Sequence, residues 1–194
     1  MKGFTEKPRN RVIHETNKST SAYNENMEIV EYNRIKAVLY ARKWAYGRNP
    51  AFYNFNGLGG DCTNFVSQCI FARSGIMNFT PVFGWYYRSL QDRTPSWTGV
   101  EYLYNFLIQN QGVGPFAEET RLQGLKIGDV VQLGRATGDF YHSGIVCGFQ
   151  YGFPLIAAHT YDVFGKPLFQ YSFDKARFIH ILGVRRETVP IPPV

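Results

Sequence analysis

Between Glu28 and Ala45 the apolar positions Ile29, Tyr32, Ile35, Val38 and Leu39 recur every three to four residues. That period predicts an amphipathic helix over 28–45, with Asn24 or Asn26 as its N-cap. Gly47, Asn49, Pro50, Asn54, Asn56, Gly57, Gly59 and Gly60 then make a loop rich in turn formers. A second helix is predicted to start at Asp61-Cys62, with Cys62, Phe65, Val66, Cys69 and Ala72 on one face and Gly75 as its left-handed C-cap. Pro81 to Ser89 reads as an aromatic loop. Trp97 to Gln109 reads as a third helix, capped by a Thr98/Glu101 box and closed near Gly112.

After Gly128 the period changes. Short apolar runs at 129–133, 143–149, 154–160 and 177–184, bounded by Gly and Pro and rich in β-branched residues, predict strands of an antiparallel sheet. Helices first and strands afterwards give the α+β class, with N-terminal helices packed on a C-terminal sheet. The flanks lack both periods. Residues 1–27 read as a polar arm or disordered tail, 28–185 as one domain, and 186–194 as a Pro-rich tail.

Composition narrows the classes. With 194 residues, 44% of them hydrophobic, the chain supports one sizeable core. The 16% aromatic content excludes a disordered chain. Net charge is +6, of which 28–185 carries +4 (15 basic, 11 acidic), without the clustered runs of a nucleic-acid binder. Residues 140–161 hold no charged side chain, but Pro154, His142, His159 and three glycines argue against a membrane span. The N-terminus has no apolar signal core, so the expected location is cytoplasmic, or extracellular if a leader has been removed.

Three cysteines, Cys62, Cys69 and Cys147, are an odd number without zinc-like spacing, so neither a disulfide framework nor a metal site is expected. Cys69 and Cys147 read as core residues. Cys62 is different, because a thiol in the first turn of a helix meets unpaired backbone N–H groups and the positive dipole end, both of which favour thiolate. Glycines before it allow close approach by a substrate. His142 and His159 flank a hairpin turn in 150–153, and an even loop would put both imidazoles on one sheet face, about 4.5–8 Å apart. Nucleophile, base and orienter would then be complete. Asp61 is expected to bond backbone or loop groups and not to act as the base, while His14 and His180 receive no role. In the aromatic loop, Trp85, Tyr86 and Tyr87 could line a substrate groove.

The ordered string GGDCTNFVSQCI (59–70), Gly84-Trp85-Tyr86-Tyr87, Ser96-Trp97-Thr98, Gly128-Asp129-Val130-Val131, His142-Ser143-Gly144-Ile145-Val146 and Ala158-His159-Thr160 resembles the bacterial putative amidase domain family. That family is similar to the NlpC-type, papain-like cysteine peptidases. The resemblance implies a papain-like α+β fold, with Cys62 matching the nucleophile, His142 the base and His159 the third residue. Tyr53 matches a tyrosine that assists the oxyanion in related enzymes, and Asp61 is a support candidate beside Cys62. NlpC-type enzymes usually carry D-C-S-G where Thr63-Asn64 follow Cys62 here, and their Cys-to-His separation is shorter. Asp162 or Asp139 therefore stays open as the orienter in place of His159.

The expectation is a cysteine amidohydrolase or peptidase that works without cofactor or metal. Its substrate would be a peptide or other amide, cell-wall (peptidoglycan) peptides among them. The alternative is a catalytically silent module on the same fold that holds glycan or peptide through the aromatic loop.

Overall fold

A computed structural model describes residues 27–188. The expected polar arm and Pro-rich tail lie mostly outside these residues. The class is α+β. Seven antiparallel strands form one sheet: β1 (Met27–Val30), β2 (Gly114–Thr120), β3 (Val130–Gly134), β4 (Phe140–Gln150), β5 (Phe153–Ala158), β6 (Val163–Pro167) and β7 (Lys175–Glu187). The helices are α1 (Arg34–Trp44), α2 (Cys62–Ser74), α3 (Pro95–Thr98) and α4 (Val100–Gln109).

Strands run in the order β1-β7-β3-β4-β5-β6, and β2 also pairs with β7. β1 meets residues 184–187 of β7, β3 meets 175–179, and β2 spans 178–185. A strand has two edges, so β1 and β3 lie end to end along one and β2 occupies the other.

Alternation along the strands sorts the core into two layers. Val130, Ile145, Ala157, Ile179 and Ile181 pack with Phe65, Val66 and Ile70 of α2 and with Trp85, Trp97 and Leu103. Val131, Leu133, Val146, Ile156 and Ala158 face the other way, onto Leu125, Leu168, Tyr171 and Phe173.

α2 is the central element, buried at every position from Cys62 to Ile70. Its polar residues are satisfied internally. Asn64 accepts from Trp97 Nε1 at 2.9 Å, Ser67 from Trp85 Nε1 at 3.1 Å, and Gln68 from the Tyr40 hydroxyl at 2.7 Å. Gly75 ends the helix as expected, at φ 60°.

Two predicted helices need correction. The first is shorter than 28–45, because Met27–Val30 is a strand added to β7 and the N-cap is Asn33, whose Oδ1 accepts from Lys36 N at 3.0 Å. The third is split by Gly99, whose extended backbone (φ −105°, ψ 133°) separates α3 from α4. No Thr98/Glu101 box forms: Gly99 takes the cap position, and Glu101 instead accepts from Arg177 Nη1 at 3.1 Å.

Candidate active site

Cys62 is the first residue of α2 and is 6% exposed. Hydrogen bonding from the backbone at Ser143, Thr63 and Cys62 itself, and from the Thr63 hydroxyl, acts to lower its thiol pKa. Thr63 Oγ1 lies 3.8 Å from Sγ. Burial nevertheless outweighs these donors and pushes the thiol pKa up. The helix start that was expected to favour thiolate is too thoroughly desolvated to do so in this resting arrangement.

Asp61 occupies the N-cap position, but its carboxylate makes no capping bond to the helix backbone. It accepts from Phe55 N at 3.0 Å, from Asn64 Nδ2 at 2.8 Å and from His159 Nδ1 at 2.6 Å. Arg48 Nε stands 3.2 Å away. Burial alone would raise this carboxyl pKa, but the bonds from His159, Asn64 and Phe55 overcome it and hold the group below the usual carboxylate value. Asp61 thus bonds loop and backbone groups as expected. It also bonds His159, a contact the sequence did not suggest.

His159 is buried, stacked on Phe65 with centroids 3.9 Å apart, and its Nε2 donates to the Trp44 carbonyl at 2.9 Å. Each ring nitrogen therefore faces an acceptor. Thr160, the next residue, has φ 85°, a conformation that a β-branched residue rarely takes. Its hydroxyl reaches over Gly60, where a Cβ would come within 3.2 Å.

His142 is not brought to Cys62. Its cross-strand partner is Leu133, and it lies among Val131, Gly144, Ile156, Leu168 and Tyr171 on the far face of the sheet. Apolar burial first, and Lys166 second, lower its pKa to about 4. The residue that faces α2 is its neighbour Ser143, whose Oγ lies 3.0 Å from Thr63 Oγ1.

The two histidines separate because of one extra residue. The hairpin loop is even, Tyr151-Gly152 with φ of 52° and 81°, and Gln150 pairs with Phe153. Gly148 pairs with Leu155 but Val146 with Ile156, so Cys147 is a bulge. Beyond it the register slips by one, which sets Ser143, not His142, on the face shared with His159.

Asp162 pairs with Arg48 at 2.8 and 3.0 Å, and Asp139 is tied to Thr137 and Arg135, so neither is placed on a histidine. Tyr53 is 43% exposed; its backbone N–H goes to the Tyr87 hydroxyl and its carbonyl to Asn64. The proposed groove is largely core: Trp85 is fully buried and stacks on Phe106, and Tyr87 packs on Phe52 and Trp97. Only Tyr86 stays partly open, against Phe79 and Arg88. Their large apolar areas gain more from burial than from lining an open surface.

Cys69 is buried and Cys147 half-buried, and both are free thiols, as is Cys62. Among the described residues no three of His, Cys, Asp and Glu converge as metal ligands would. A second buried carboxylate, Asp129, binds Arg34 at 2.5 Å and His180 Nδ1 at 2.7 Å, tying α1 and β7 to the start of β3. The motif residue Asp129 thus carries a structural network that the sequence pattern did not reveal.

A family model described as "Putative amidase domain" matches residues 31–182. The uncharacterized protein YhbB of Bacillus subtilis (strain 168) is 35% identical over 137 residues, which cover 68% of this chain and 42% of that protein. The chain thus spans less than half the length of this curated relative. No solved structure matches. No helix among the described residues is long and apolar enough to cross a membrane.

Proposed function

The chain belongs to the putative amidase domain family, and we propose that it hydrolyses an amide bond on a papain-like fold through a Cys62 thioester, with His159 carrying the proton and Asp61 orienting His159. The observation that carries this reading is a helix-starting thiol whose preceding residue, Asp61, is half of a buried carboxylate–histidine pair. The residue joined to Cys62 by a peptide bond holds His159, and Phe65, one turn along α2, stacks on its ring. The base therefore belongs to the same helix start as the nucleophile.

In the reactive form His159 is neutral, with Nδ1–H on Asp61 and a lone pair on Nε2. That lone pair is repelled by the Trp44 carbonyl, so the ring releases it and turns toward the thiol. Nε2 takes the Cys62 proton and the sulfur attacks the amide carbon. The N–H groups at the start of α2 hold the oxyanion. As the C–N bond breaks, the Nε2 proton passes to the leaving amine. Water then gives its proton to Nε2 and its oxygen to the acyl carbon, and the thiol is restored.

Peptide amides are the first substrates to assay, cell-wall stem peptides among them because of the resemblance to NlpC-type enzymes. The aromatic-loop binding module loses its basis, since two of its three aromatics are core residues.

The test is hydrolysis of muropeptides and peptide anilides, run beside iodoacetamide labelling of Cys62. Cys62→Ala should abolish turnover. His159→Ala should abolish it too and slow labelling at pH 7, whereas His142→Leu should keep both. Turnover that survives Cys62→Ala would refute the nucleophile, and loss only on His142→Leu would reassign the base.

A further inference from the structure

α1 presents two unlike sides. Ala37 and Ala41 are fully buried, and Tyr40 ties the helix to α2 through Gln68. On the opposite side Ile35 is 58% exposed, Leu39 56% and, in the turn that follows, Tyr46 72%. At about 100° per residue Ile35 and Leu39 lie about 40° apart, an apolar stripe one turn long, while Tyr46 follows the helix and its hydroxyl accepts from Phe164 N on β6 at 3.2 Å. Arg42 borders one side of the stripe, and Lys36 and Lys43 border the other; all three are exposed. α1 contains no carboxylate, and its fourth cation, Arg34, is turned inward to Asp129.

This arrangement does not serve folding. Exposed Ile and Leu one turn apart contribute nothing to the core, and the unbalanced cations repel one another. Neither does it serve the proposed hydrolysis, to which α1 contributes only the Trp44 carbonyl that meets His159. Apolar side chains flanked on both sides by long cationic ones suit a helix lying flat in a lipid interface, with the stripe dipping into the acyl boundary and the cations at headgroup level. Charge complementarity selects the lipid: three cations without a carboxylate call for an anionic surface.

We propose that the outer face of α1 is a peripheral docking surface for anionic lipid bilayers, with Ile35 and Leu39 as the inserted residues and Lys36, Arg42 and Lys43 as headgroup contacts. The inference is independent of the proposed hydrolysis.

The test is sedimentation of the full chain with sucrose-loaded vesicles of phosphatidylcholine alone or with 30% phosphatidylglycerol. Binding should require phosphatidylglycerol and fall sharply in 0.5 M salt. Arg42→Gln with Lys43→Gln should weaken it about 25-fold, at about fivefold per cation, and Leu39→Ser should weaken it without any change in charge. Because these side chains are exposed, urea midpoints should stay within error of wild type, which excludes unfolding as the cause. Equal binding to neutral vesicles would overturn the proposal. So would binding that survives all three substitutions, since the lipid contact would then lie elsewhere on the chain. A dimer in solution that Leu39→Ser dissolves would also overturn it, because a second copy would then own the face.

Discussion

Asp61→Asn keeps the shape of the side chain and removes its charge. The carboxylate is fully buried and takes hydrogen bonds from Phe55 N, Asn64 Nδ2 and His159 Nδ1, with Arg48 Nε at 3.2 Å. An amide there sets an NH₂ group against donors that cannot accept, and it leaves the Arg48 guanidinium without its counter-charge. Breaking one partner out of a buried ion pair costs about 3–5 kcal/mol, more than the ~1 kcal/mol of an ordinary hydrogen bond. For a chain of this size that corresponds to a fall in Tm of roughly 10 °C. The pH dependence follows from the direction of the shift. Because the folded-state pKa of Asp61 lies below the unfolded value, its stabilisation is fully present above about pH 4 and is lost as pH falls through the lower, folded value. Urea unfolding of wild type and variant at pH 7 and at steps down to pH 2.5 measures both quantities. The gap should be full at pH 7 and should close in acid. A gap under about 1 kcal/mol at pH 7, or one that stays constant into acid, would refute the buried-pair argument.

His142→Leu should remove an acid sensitivity of the fold. The lowering of the folded His142 pKa to about 4 means that wild type loses roughly 3 kcal/mol as pH falls from 6.5 to 4, and the variant's urea midpoint should lack that loss. Gly84→Ala should be among the most damaging single changes, by about 3 kcal/mol or more, because its Cβ would sit 2.3 Å from the Asn78 carbonyl and 2.4 Å from that of Thr80; thermal melting checks it. Gly144→Ala should cost about 1–3 kcal/mol by overpacking, since the Cβ would approach Ile156 Cγ2 to 2.4 Å on the far face of the sheet, and urea unfolding checks it while Cys62 labelling should be unchanged.

The parts of the fold legible from sequence are those buried on both sides. β3, β4, β5 and β7 are read from apolar, β-branched runs, because strands inside the sheet need such residues on both faces. β1, β2 and β6 are not legible. Met27–Val30 is only four residues long, Gly114–Thr120 carries Pro115 and two glutamates, and Val163–Pro167 carries Gly165 and Pro167. β2 and β6 form the outer edges of the sheet, and β1 shares one edge of β7 with β3. An edge pairs on one side only and tolerates, even favours, the residues that argue against a strand. α2 misleads in the opposite sense. Its polar positions Thr63, Asn64, Ser67 and Gln68 look like a solvent face, yet all are buried and bonded to side chains from distant segments.

The same distinction explains the candidate site. The place of Cys62 at a helix start follows from local signals, a glycine-rich loop before it and an apolar period after it. The Asp61–His159 contact joins residues 98 positions apart, and nothing local announces it. The choice between His142 and His159 turns on parity, the one property of a strand that a single inserted residue reverses. The turn at Tyr151-Gly152 predicts that both imidazoles share a face, and each stretch of pairing obeys the alternation behind that prediction. Cys147 breaks the count between them, and Cys is a residue that packs well and carries no turn signal. Its side chain stays on the helix side, packed against the core with α2, so the strand keeps its apolar pattern while the register changes beneath it. The bulge therefore decides which histidine meets the buried carboxylate and which is enclosed among Leu133, Ile156 and Leu168, although it is itself part of neither environment.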